Sequence, residues 1–246
     1  MSRRMRIAVF VPALGVLFAL LLWGFAGMPD FGHYRGPYGF VLDRVATPER
    51  HVTNVVNATT YDYRGFDTMG EEFILFAAVT GVVLLLRGSS GQRRTADDDV
   101  RSDAIRVVGA VAPALVILVG LWLVAFGFVT PGGGFQGGVA IAAGAFTLFV
   151  AVGYRAWSTV GDEKLLDPLE GLGAGGYAVV GLAALASGLP FLANMFGPGV
   201  VGTLRSGGSA PLLNWAAAIE VAAANVILTT EFVEQYIAPI VRRRRG

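Results

Sequence analysis

The chain contains no cysteine, which excludes disulfide frameworks, thiolate metal sites and cysteine nucleophiles. Charge is scarce as well. Asp, Glu, Lys and Arg make up 15% of the 246 residues, against roughly 25% in an ordinary soluble domain. The formal net charge of +1 excludes a broad basic surface for nucleic acid. Histidine occurs twice, as His33 and His51, 18 residues apart in one polar stretch, which is a weak pattern for a metal site. No hydrolase triad and no redox-cofactor motif can be assembled. The expectation is therefore a non-enzyme with neither cofactor nor metal.

What is abundant is apolar and small. Hydrophobic residues reach 54% and glycine 34 positions, with a mean hydropathy of +0.60. Glycine suits helices packed in lipid, where burying apolar side chains gains nothing over the solvent and close backbone approach supplies the attraction instead. The composition predicts an all-α, polytopic membrane protein.

A helix crosses the hydrocarbon in about 20 residues. Ile7–Ala26 meets that length without a charge and follows Arg3, Arg4 and Arg6. Its length, and the lack of a clear small-x-small site, read as a retained first helix rather than a cleaved signal. A second span is predicted over Thr68–Leu86. The uncharged stretch Val107–Tyr154, 48 residues long, is too long for one crossing. It breaks at Thr130–Gly134 into a third helix ending near Phe128 and a fourth starting near Gln136. The fifth span is expected over Gly175–Asn194, and the sixth from Pro211, a favoured first helical residue, to Thr230. Six spans with both termini in the cytoplasm place fourteen of the 19 basic residues inside and five outside, the bias of the positive-inside rule. The expected location is the cytoplasmic membrane.

Gln92–Asp103 (QRRTADDDVRSD) is a charged linker. It divides the chain into a two-helix region (1–90) with a long polar loop (27–66), the linker itself (91–104), and a four-helix domain (105–246). No internal repeat is visible, which disfavours an inverted-repeat transporter.

Three stretches carry more than hydrophobicity. Asn54–Glu72 (NVVNATTYDYRGFDTMGEE) mixes amides, aromatics and charges ahead of the second span. Val52, Val55, Val56, Thr59 and Thr60 are placed to form one face of a surface helix. Asp62, Arg64 and Asp67 are close enough to pair and to cap the helix that follows. Glu71 and Glu72 fall about one turn inside that span. Acids there suit the helix dipole, but adjacent residues point about 100° apart, so at least one faces a sheltered interior. The second stretch is Thr130–Gly138 (TPGGGFQGG). Pro131, Gly132, Gly133 and Gly134 read as a tight turn, or as non-helical backbone beside protein. Gly134, Gly137 and Gly138 then open the next helix, and Gly134 and Gly138 are spaced for close packing. The run lacks the lysine and hydroxyl residue of a phosphate loop. The third is Glu220, near the middle of an otherwise uncharged span. An ionised acid there costs at least about 2.5–3.5 kcal/mol, so it is protonated, partnered or facing water. Asn225 and Thr229 can supply hydrogen bonds on the same helix, while Glu231 and Glu234 read as solvated.

Asn57–Glu71 resembles the "DFRGFDTLGE" segment of the C-terminal part of the large A subunit of Mrp-type Na+/H+ antiporters, which also occurs in a small (MbhE-like) subunit of membrane-bound hydrogenases. Tyr63 and Met69 stand for the usual Phe and Leu. Thr130–Gly138 is similar to the "PGGGFxGG" signature of the antiporter B subunit (MnhB, or MrpB). Where that family often has His-Asn before the proline, this chain has Phe128 and Val129. The resemblance implies a fused B-type subunit of a multisubunit cation/proton antiporter, partnered by A, C, D and small subunits, lipid, Na+ and H+. It carries functional acids onto Glu71 and Asp67, and onto Glu220 loosely. Glu72 joins them as a candidate for an ion or proton path. The competing expectations are the equivalent subunit of an energy-converting hydrogenase-type complex, and a purely structural assembly subunit. A stand-alone transporter is the least favoured.

Overall fold

A computed structural model describes residues 3–28, 32, 36–87, 102–153, 157 and 159–234. Among these residues the chain is all-α, in eight helices: α1 (Arg3–Ala26), α2 (Tyr38–Arg50), α3 (Val55–Ala58), α4 (Gly65–Arg87), α5 (Asp103–Ala125), α6 (Gly134–Val152), α7 (Glu163–Ala186) and α8 (Ala210–Phe232). Six of them (α1 and α4 to α8) are long and apolar enough to cross a membrane. Most of the charged linker, His33 and the C-terminal arginines lie outside the described residues.

The chain forms two compact units, 1–41 and 42–246. In the first, α1 exposes its apolar side chains along its whole length. In the second, α8 is the centre. Of its most apolar stretch 61% is buried, against 33% or less for α4 to α7, and it packs on α4, α6 and α7. An alanine-rich sequence allows this, because Ala216, Ala217, Ala218, Ala223 and Ala224 bring three neighbours close to its backbone.

Two expectations need correction. The segment 27–66 is not a plain loop. It contains α2, anchored by buried Leu42 and Ala46 one turn apart, then α3, which widens into a π turn at Thr59–Tyr63. Asn54 caps α3 by accepting from the Asn57 amide at 3.2 Å. Val52 is fully buried and Val56 exposed, so the proposed surface face does not form. The second correction concerns the fifth span. Helix α7 starts twelve residues before Gly175, because Asp162 caps it by accepting from the Lys164 amide at 3.0 Å. It stops at Ser187, where left-handed Gly188 precedes Pro190. Its first two turns carry Glu163, Lys164, Asp167 and Glu170, charges that hid them from a hydropathy reading.

The turn between α5 and α6 is held from outside. The Asn54 side chain donates to the carbonyls of Gly127 (2.7 Å) and Thr130 (3.1 Å), and lies 3.3 Å from that of Gly132. The Thr53 hydroxyl donates to the Val129 carbonyl at 2.5 Å. Carbonyls of the turn itself are thus satisfied by Thr53 and Asn54, while those of Trp122, Leu123 and Val124 at the end of α5 accept from the backbone amides of Phe126, Gly133 and Gly127. Phe128 is buried beside Ala46, Val52 and Ala58, which gives the departure from His-Asn a packing role.

Candidate functional site

Where α4, α7 and α8 meet, two carboxyl groups are enclosed. Glu72 and Glu220 each have 0% exposure. Along α4, Thr68, Glu72 and Val79 turn toward the interior, a spacing of four and seven that keeps one face inward. Glu72 lies seven residues into α4 and Glu220 ten into α8, so their depths are about 10 and 15 Å at about 1.5 Å per residue. The two acids are electrostatic neighbours, and the Glu220 side chain reaches the α4 backbone at Phe76. All four carboxyl oxygens are buried without a well-formed hydrogen bond among the described residues. Buried polar groups are normally satisfied, so this site departs from the rule twice. Room for it comes from Gly173 of α7, where a methyl group would meet the Glu220 Cβ at 2.6 Å.

A buried polar column leads from this pair toward the start of α8. The Thr68 hydroxyl donates to the Thr60 carbonyl at 2.7 Å, taking up an acceptor in the π turn. Tyr177 donates to the Gly65 carbonyl at 3.0 Å, and its ring lies 6.3 Å from that of Tyr61. The Tyr61 hydroxyl sits against the first amides of α6, at Gly134 and Phe135. Burial pushes this hydroxyl well above the usual phenol range, with the charge of Glu72 adding to the effect, so Tyr61 stays neutral. Asn57 donates to Asn214 at 2.9 Å, and the same Asn214 oxygen accepts from the Gly134 amide at 3.0 Å. Asn214→Leu should orphan the Asn57 amide and the Gly134 N–H, at about 1–3 kcal/mol for each buried group. The check is the thermal midpoint of the detergent-solubilised complex, which should fall by several degrees.

Beyond the column lies a polar cleft of about 400 Å³ lined by Arg50, Asp62, Arg64, Asp67 and Asn194 among others. Asp62 pairs with Arg50 at 3.4 Å and accepts from Asn194 at 3.3 Å. Arg64 instead pairs with Asp67, its Nε donating at 2.6 Å. The expected trio is thus split between two partnerships. Tyr63 donates to Glu49 at 2.8 Å, and partial burial, followed by that bond, raises its hydroxyl above the usual range.

The candidate acids separate. Glu72 and Glu220 come together, whereas Glu71 and Asp67 lie on the exposed side of α4. Two further acids were missed or misread. Glu170, on α7, is 6% exposed, and Glu231 is 3% exposed rather than solvated. Asn225 and Thr229 bond back to their own helix, to the carbonyls of Val221 and Asn225, each at 2.8 Å. No cluster of three or more potential metal ligands occurs among the described residues.

The glycine-rich segment sets the packing around this site. On α6, Gly134 faces the Asn214 carbonyl, and a methyl group there would meet it at 2.5 Å. Gly138 faces the Ala218 carbonyl and the Val221 Cβ, at 2.9 and 2.8 Å by the same test. Gly137 turns the other way, toward the Gly120 carbonyl of α5 at 2.8 Å. Pro131 is exposed, and Gly132 and Gly133 fill the turn.

Residues 104–227 match the family described as a domain related to the MnhB subunit of Na+/H+ antiporter, and residues 2–103 match the MbhE family, described as a subunit of MBH. An uncharacterized protein of Methanocaldococcus jannaschii is 30% identical over 200 residues, 74% of each chain. Among solved structures, a chain of the membrane-bound sulfane sulfur reductase, an archaeal respiratory membrane complex, superposes with a TM-score of 0.67 at 26% identity. The match covers 94% of this chain and 99% of that one. A chain of the Mrp complex from a Dietzia species gives 0.68 at 20% identity, covering 96% of this chain and 27% of that one, and shares the fold. The chain belongs to the MnhB-related family, as a multi-pass membrane subunit of the Na+/H+ antiporter type that carries an MbhE-type region at its N-terminal side.

Proposed function

We propose that the Glu72–Glu220 pair handles protons, or a cation in exchange for them, inside a multisubunit Na+/H+ antiporter of the cytoplasmic membrane. The chain acts there as a non-enzymatic subunit with both termini inside, beside A-, C- and D-type and small subunits. The observation that carries this reading is the enclosure of two adjacent carboxyl groups without well-formed hydrogen bonds at the centre of the bundle. Two charges cannot both be held cheaply in such a place. One carboxyl therefore carries a proton that an arriving cation or a rearranging neighbour can displace. Thr68 stands one turn before Glu72 on α4, and Tyr177 donates to the carbonyl of Gly65, which lines the polar cleft. Glu71, about 9 Å into α4 at 1.5 Å per residue, is exposed on this chain alone, and a neighbouring subunit or water shelters it.

The test is Na+-driven proton movement in everted vesicles carrying the whole complex. Glu72→Gln and Glu220→Gln should each lower antiport at least about tenfold while assembly stays normal. Unchanged transport by a normally assembled complex would refute the role.

A second reading has its own support. The match to the sulfane sulfur reductase covers 99% of that chain, so a redox-coupled complex contains a chain of the same span. In that case the same helices couple a redox module to ion movement. Purifying the complex and assaying it for iron decides between the two: iron-bearing partner subunits favour the redox-coupled reading.

A further inference from the structure

A slot of about 530 Å³ runs along α8, lined also by α5, α6 and the start of α7. On α8 it extends from Trp215 to Val226, about 17 Å at 1.5 Å per residue. Ala218, Ala222 and Ala223 lie along that stretch, and their small side chains leave the space open. The slot begins five residues after the start of α8 and stops six before its end. It therefore lies at the depth of the hydrocarbon. Of its fifteen lining residues, only Thr159 and Trp215 carry a polar side-chain group.

Two occupants are excluded by chemistry and by size. Water needs about two to four polar partners, which such walls do not offer. A transmembrane helix is about 10–12 Å wide with its side chains, whereas the volume spread along the slot gives a width of about 6 Å. One hydrocarbon chain fits that width, and an empty slot would forfeit the dispersion contacts of every group that lines it. The charges at one end match a lipid head. Val160 and Leu165 line the end beside the start of α7, where Asp162 and Lys164 are exposed, one charge of each sign. Glu163, between them, is half-buried. The phosphate and ammonium groups of phosphatidylethanolamine are complements to that pair.

We infer that this slot binds one acyl chain of a phospholipid, with the head at Asp162 and Lys164 and the end of the chain beside Trp215. The bound chain completes the cover of α8, the most buried span of the bundle, on the side that its alanines leave open. This site does not depend on the reading of Glu72 and Glu220.

The experiment washes the whole complex in detergent, reloads it with phosphatidylethanolamine and weighs it by native mass spectrometry. Ala222→Phe puts a ring into the slot and should lower the number of retained phospholipids by one per copy of this chain. Val179→Phe, on an exposed part of α7, is the control and should retain the wild-type number. Equal retention in Ala222→Phe and wild type overturns the site. An Ala222→Phe complex that keeps its lipid but sheds a neighbouring subunit assigns the slot to a partner's side chain, which also overturns it. Should Ala222→Phe fail to assemble, or lose a subunit and lipid together, Leu165→Trp takes its place. That change enlarges a side chain at the exposed end of the slot: loss of one phospholipid supports the site, and unchanged retention overturns it.

Discussion

Gly138→Leu should leave almost no folded chain in the membrane. At this position even the first added carbon would sit 2.8 Å from the Val221 Cβ and 2.9 Å from the Ala218 carbonyl. Both belong to α8, the most buried span of the bundle. A carbonyl in a helix cannot step aside as a side chain can, so α6 must move away as a body. Overpacking a core by a few methylenes costs about 1–3 kcal/mol, and four carbons placed against rigid backbone exceed that range. Total stabilities of about 5–15 kcal/mol leave little margin. Separation of α6 from α8 would also break the Asn214 bond to the Gly134 amide, so the losses compound. Gly70→Leu is the control. It has the same chemistry on α4, but open space around the added carbon, so the abundance of the chain should be unchanged. Size-exclusion chromatography of detergent extracts, followed by a fluorescent fusion, measures both. Equal recovery of the two variants would contradict the close approach of α6 to α8.

The contrast between those two glycines marks the limit of what the sequence discloses. Five of the six spans are legible from long apolar runs that carry few or no charges, and the break at Thr130–Gly134 is legible because successive glycines do not sustain a helix. The start of α7 is not legible. Hydropathy penalises Glu163, Lys164, Asp167 and Glu170 alike, although the first three are at least partly accessible and the last is buried. Burial of Glu170 depends on α8 lying across it, a tertiary fact with no local signature. The same holds for the two neighbouring acids of α4. The sequence says that they diverge by about 100°, but which one points inward is set by the helix they dock on. The resemblance to the antiporter segment draws attention to Glu71, and the packing encloses Glu72. Asn54 and Thr53 are a further case. Their residue types suggest a cap, and Asn54 is one, but their bonds to carbonyls more than seventy residues away follow only from the fold.

The Glu72→Gln and Glu220→Gln changes combined should lower antiport by about as much as either alone. If the two acids were separate stations on a path, removing both would multiply two losses, and two tenfold effects would give about a hundredfold. If they share one proton, each single change already removes the shared site and the second has little left to remove. Residues acting as one unit are non-additive in this way. The physical basis is the repulsion they would feel if both were charged. Two unit charges about 4 Å apart interact by about 4 kcal/mol at an effective dielectric constant of about 20, roughly a thousandfold in equilibrium. That is enough to make the singly protonated pair the working state. A glutamine in either position leaves a lone carboxyl beside an amide, with no partner to share a proton and no repulsion to release it. Transport should then fall steeply even though the bundle stays folded. Initial rates of Na+-driven proton movement in vesicles, normalised to assembled complex, give the two single losses and the double. A double loss near the product of the singles would separate the acids into independent groups and remove the basis for a shared proton.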